Sequence, residues 1–142
     1  MLMRPGRGDR FDEGVSAMPS AINWFQIPAS DMGRARAFYE AICGFSLEKL
    51  DSPPAMEMWA FPADRRSGEV GGAVVCGEGA VPSGTGTAVF LNGDPDLQAV
   101  LDRVEEAGGK ILIPKTAIGM DAGFFAMIAD TEGNTVGLHS QR

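Results

Sequence analysis

The chain has 142 residues, is 44% hydrophobic and carries a formal net charge of −7; these values fit one globular domain, or two small repeats sharing a core. Lys and Arg number 12 against 19 Asp and Glu. With no basic cluster the chain cannot neutralise a phosphate backbone, which excludes nucleic acid as an expected partner. No apolar run reaches the roughly 18 residues of a membrane helix, so no membrane partner is expected either.

The opening segment, MLMRPGRGDRFDEGVSA, is charged, contains glycine and has no periodicity. It lacks the apolar centre of a signal peptide, so residues 1–17 read as an N-terminal extension and the compartment as cytoplasmic. The domain proper then spans residues 18–142. Cys43 and Cys76 form no motif and are expected to be buried free thiols.

Residues 21–45 form the first organised unit. Ile22, Trp24 and Gln26 alternate with Asn23, Phe25 and Ile27, as in a strand with two distinct faces. Pro28 ends it, Ser30 and Asp31 are candidate helix N-caps, and Ala35, Phe38, Tyr39 and Ile42 fall at helical spacing before the Gly44 stop. Three strands follow, over FSLEKL, over AMEMWAFP (residues 55–62) and over residues 70–75. A Gly-rich linker, residues 77–84, separates this from a second series. There, residues 87–91 read as a strand, and Asp94-Pro95 as the cap and first turn of a helix. Leu97, Val100, Leu101 and Val104 form the buried stripe of that helix, and Gly108-Gly109 ends it. Strands over residues 110–114, 123–129 and 134–140 complete the chain, the last two joined by the turn residues DTEGN.

The two series match. Asp31-Met32 aligns with Asp96-Leu97, Ala35 with Val100, Tyr39 with Val104 and Gly44 with Gly109, a constant offset through a whole helix. The fold class is therefore α+β, with two tandem βαβββ modules over residues 21–76 and 85–142.

Three motifs, IPASDMGRARAFYEAICGF, DLQAVLDRVEEAGGKIL and DTEGNTVGL, taken in this order and spacing, resemble the vicinal oxygen chelate superfamily, which includes glyoxalase I, extradiol dioxygenases and bleomycin-resistance proteins. The resemblance covers residues 21–140. It implies a curved eight-stranded mixed sheet around a cavity, helices outside, and a homodimer. In the metal enzymes of that superfamily each module gives a His or Glu from its first strand and a carboxylate from its last. Here the first of these positions falls on Trp24, the second within residues 87–89, the third within residues 70–75 and the fourth on Gly137. None supplies a customary ligand, so no metal and no other cofactor is expected.

The remaining site candidates are Trp24, Gln26 and His139. Trp24 and Gln26 share one strand face, an apolar surface beside a polar anchor. His139, the one histidine, lies two residues after Gly137 on the same face of the last strand and is the weak candidate for a catalytic base. If the three line one pocket they suit a flat organic ligand better than a bare anion, because those strand faces carry no Arg or Lys. The expected function is binding of a small organic molecule without metal. The alternative is a lactoylglutathione-lyase-like or dioxygenase-like enzyme with a rebuilt site.

Overall fold

The computed structural model describes residues 20–142, so the extension expected over residues 1–17 lies outside the described residues. The elements are β1 (Trp24–Pro28), α1 (Met32–Cys43), β2 (Glu48–Lys49), β3 (Met56–Ala60), a 3₁₀ turn (Arg65–Ser67), β4 (Gly71–Gly77), β5 (Phe90–Asn92), α2 (Leu97–Val104), β6 (Lys110–Ala117), β7 (Phe124–Ala129) and β8 (Thr135–Ser140). The order is βαβββ twice. The eight strands form two mixed sheets of four, ordered β1-β4-β3-β2 and β5-β8-β7-β6. Each has one parallel pair, β1 with β4 and β5 with β8, and antiparallel pairs elsewhere.

Local chemistry explains the helix ends. Asp31 caps α1, its Oδ1 accepting from the Arg34 amide at 3.1 Å, and Gly44 closes the helix in the left-handed region at φ 78°. The second helix begins later than the Asp94-Pro95 pair suggests. Its cap is Asp96, which accepts from the Gln98 amide at 3.0 Å, while Asp94 accepts from the Gln141 amide at 3.0 Å and so ties the loop to the chain end. The repeat alignment, which pairs Asp31 with Asp96, identifies this cap where the local Asp-Pro rule does not. Two strands also differ from expectation. β5 starts at Phe90 because its ladder with β8 opens only at the Val89 carbonyl, which accepts from Gly137. β6 continues through Pro114 to Ala117 with two register shifts, which an edge strand tolerates because its outer side needs no donor.

The core is one cluster shared by both modules, with Phe38, Tyr39 and Ile42 of α1 and Leu97, Leu101 and Val104 of α2 among its members. Full burial of each such side chain contributes about 1.5–3 kcal/mol. Helix α2 ends at Val104, before the Gly108-Gly109 pair, and Gly109 matters instead for packing. A Cβ there would stand 2.7 Å from the Phe38 ring and 2.6 Å from the Ala129 carbonyl oxygen, so only glycine lets the first helix sit against the second module.

Polar groups fasten the same junction. The β7–β8 turn of the second module reaches the N-terminus of α1 in the first. Glu132 Oε1 accepts from the Ser30 and Asp31 amides at 2.8 and 3.0 Å, and its carboxylate takes Arg34 Nε at 2.6 Å and Nη2 at 3.0 Å. Asp130 accepts from the Tyr39 hydroxyl at 2.6 Å, and Asn134 Nδ2 donates to the Pro28 carbonyl at 2.7 Å. Asn134 Oδ1 also accepts from the Ser83 amide at 3.0 Å, which pins the inter-module linker to the same turn.

Arg34 lowers the Glu132 pKa from its ordinary 4.5 to about 2, ahead of the opposing effect of burial and assisted by the Asp31 and Ser30 amides. A carboxyl depressed in the folded state adds stability that is complete above about 4.5 and lost as pH falls toward about 2. The Arg34 side chain is 51% exposed while that of Glu132 is fully covered, so solvent screening reduces the value of the pair. Glu132→Gln should therefore cost about 2 kcal/mol at neutral pH. Denaturant melts at a series of pH values should show wild type and variant converging below pH 4.5, and a gap that persists at acid pH would contradict the assignment.

Candidate functional site

In each sheet one face packs on its helix and the other turns away. Phe25 and Ile27 of β1 and Val74 of β4 belong to or pack on the core, so by alternation Trp24 and Gln26 project from the opposite face. The structure brings these two side chains together: Trp24 Nε1 donates to Gln26 Oε1 at 3.3 Å. A group that the strand pattern does not reveal joins them. The Arg65 guanidinium, carried by the 3₁₀ turn, lies 5.1 Å from the Trp24 ring centroid. A Cβ on Gly71 would meet Trp24 at 3.3 Å and Arg65 at 3.4 Å, so both side chains close over the same bare patch of backbone. The strand faces themselves carry no Arg or Lys, and the cation beside Trp24 is supplied from outside them. Arg65 comes from a turn outside the strands, where alternation carries no information.

His139 stands elsewhere. On the second sheet Leu91, Val136 and Leu138 face the core, leaving Phe90, Phe125, Gly137 and His139 on the other face. Phe90, Ile118, Phe125 and His139 wall an open apolar pocket of about 480 Å³. His139 Nε2 lies 2.7 Å from the Ala122 carbonyl oxygen, and since a carbonyl only accepts, that nitrogen carries the proton. The imidazole thus holds the β6–β7 loop, in which Met120 and Asp121 sit in the left-handed region at φ 53° and 57°. Gln26 lines a second, smaller pocket of about 190 Å³ at the module junction, with Ser83, Thr85, Thr87, Asn134 and Thr135 among its walls. Trp24 and Gln26 are neighbours; His139 lines a different pocket from Gln26.

The two thiols are half-buried and form no disulfide; Cys76 Sγ donates to the Ser30 carbonyl at 3.8 Å, and Cys43 is pushed up to about 11 by burial. Neither adjoins these pockets as a wall.

The metal positions implied by the resemblance can be tested on this geometry. Trp24 is held between Gln26 and Arg65 and offers no lone pair. At Gly137 a Cβ would fall 2.4 Å from the Phe90 ring, so the place of a ligating carboxylate is taken by a phenyl group. On β4 the residues sharing the Trp24 face are Gly71, Ala73 and Val75, none of them a donor. Among the described residues no three His, Cys, Asp or Glu side chains converge. The residues present do not fit a divalent metal.

The Phe90–Gly137 fit yields a direct check. Phe90 is 52% exposed and can swing aside, so Gly137→Ala should cost only about 1–2 kcal/mol. In a Phe90→Ala background most of that cost should vanish, as a double-mutant cycle on unfolding free energies would reveal. Equal costs in both backgrounds would mean that the ring does not occupy the space.

Similarity to known proteins was assessed against this geometry. The family model described as Glyoxalase/Bleomycin resistance protein/Dioxygenase superfamily matches residues 21–138. A glyoxylase-like domain-containing protein of Didymella fabae is 34% identical over 121 residues, covering 80% of this chain and 88% of that protein. CFP32 of Mycobacterium bovis, named only provisionally as a glyoxylase, is 29% identical over 120 residues; the match covers 82% of this chain but 44% of CFP32. Among solved structures, a glyoxalase/bleomycin resistance protein from Streptomyces sp. CB03234 superposes with a TM-score of 0.58 at 24% identity, covering 82% of this chain and 97% of that one, a likeness of fold. Among the described residues no helix is long and apolar enough to cross a membrane. The paired βαβββ modules and the family match over residues 21–138 place this chain in the glyoxalase/bleomycin resistance/dioxygenase superfamily.

Proposed function

We propose that the chain binds a small organic molecule on the faces of its sheets turned away from the helices, without a metal. The observation that carries this reading is the pair of replacements at the superfamily's metal positions, Trp24 beside Gln26 and Gly137 beneath Phe90. Both convert ligand positions into apolar wall with a few polar anchors, the usual make-up of a small-molecule site. The apolar pocket by His139 and the hydroxyl-lined pocket by Gln26 are the two places such a molecule would enter. Leu112 and Ile113 of the edge strand β6 are each at least 40% exposed. We take that apolar surface to be covered in a homodimer.

A glyoxylase-type lyase with a rebuilt site is the second reading, favoured by the names of the Didymella and mycobacterial relatives. Since the chain spans less than half of CFP32, the activity of that whole protein is not carried over. The geometry gives this reading less support, because among the described residues no Ser, Thr, Cys, Asp or Glu side chain hydrogen-bonds His139.

Native mass spectrometry of the purified protein against a metabolite library tests the first reading, with light scattering on the same sample expected to give twice the chain mass. A bound molecule should be lost or weakened by at least about tenfold in Trp24→Ala or His139→Ala, the cost of one good anchor. Both folded variants binding as tightly as wild type would place the pocket elsewhere.

A further inference from the structure

The donor and acceptor inventory around Trp24 narrows the ligand. Gln26 Oε1 takes the indole N–H at 3.3 Å, and its Nε2 amide carries two donors with, among the described residues, no partner. Arg65 contributes donors only. Its guanidinium centre stands 5.1 Å from the indole centroid, within cation–π range, and that contact uses none of its N–H donors. Among the described residues no carboxylate forms an ion pair with Arg65. The nearby Glu69 is already engaged, its Oε1 accepting from the Asp64 amide at 2.6 Å. The side chains that share this face across β1 and β4, namely Gly71, Ala73 and Val75, carry no acceptor. An apolar plane is thus flanked by an amide with two free donors and by a cation that can only donate.

We propose that Trp24, Gln26 and Arg65 form a subsite for a planar carboxylate, an aromatic or conjugated acid. The conjugated body lies against the indole, while the carboxylate takes a forked pair of N–H bonds from Arg65 and one from Gln26 Nε2. The Arg65 guanidinium then supplies positive charge beside Trp24, the position at which the superfamily's metal enzymes carry a ligand. This inference rests on the small-molecule reading above and adds the charge and shape of the ligand to it.

The test compares 2-naphthoate with its uncharged isostere 2-naphthamide by calorimetric titration. Wild type should bind the acid about tenfold more tightly than the amide, the value of one charge-assisted contact. Arg65→Gln should abolish that preference by weakening the acid alone, and Arg65→Lys should restore only part of it, since an ammonium neither stacks nor forks. Near-UV circular dichroism would confirm that the variants fold. Equal affinity for both compounds, unchanged in Arg65→Gln, would overturn the carboxylate subsite and leave small-molecule binding standing. No binding of either compound would overturn the subsite as well, and the wider reading would then stand or fall on the metabolite screen alone.

Discussion

One turn holds the two modules of this protein in register. Glu132 enters from the second module with a fully covered side chain and meets Arg34 and two amides at the start of the first helix. Its charge suits a helix N-terminus, where free N–H groups and the macrodipole both favour an anion. Asp130 and Asn134, on either side of it, satisfy the buried Tyr39 hydroxyl and the Pro28 carbonyl. Burying these groups unpaired would cost several kcal/mol, so the turn must dock as a unit or not at all. Placement of β8, and with it Gly137 and His139, follows from that docking.

With both helices committed to the shared core, chemistry is left to the faces turned the other way. The superfamily uses those faces for metal-dependent reactions and for binding, and fold alone does not decide between them. The metal-free binding proposed above rests on the side-chain inventory. An indole, an amide and a guanidinium occupy one wall, and a phenyl ring covers a glycine on the other. Neither wall presents the clustered O and N donors that a divalent ion requires.

Much of the fold is legible in the sequence because it depends on short-range rules. The apolar spacing over Ala35, Phe38, Tyr39 and Ile42, the Asp31 cap and the Gly44 stop are each local, and the helix runs as they dictate. The constant offset between modules also locates the Asp96 cap, against the local attraction of Asp94-Pro95. The site is legible only in part. Alternation places Trp24 beside Gln26, but nothing local indicates that Arg65 folds back over the indole, or that His139 gives its Nε2 proton to Ala122. The role of Glu132 is hidden for the same reason. DTEGN reads as an ordinary hairpin turn, and across the separation of 98 positions between Arg34 and Glu132 no pattern joins them.

The central claim is that this chain keeps the superfamily's architecture while replacing its metal site with a metal-free binding wall. Elemental analysis of protein purified gently and without chelators tests it most directly. The account predicts well under one equivalent of any transition metal per chain, whereas a tightly held equivalent of zinc, nickel or iron would contradict it.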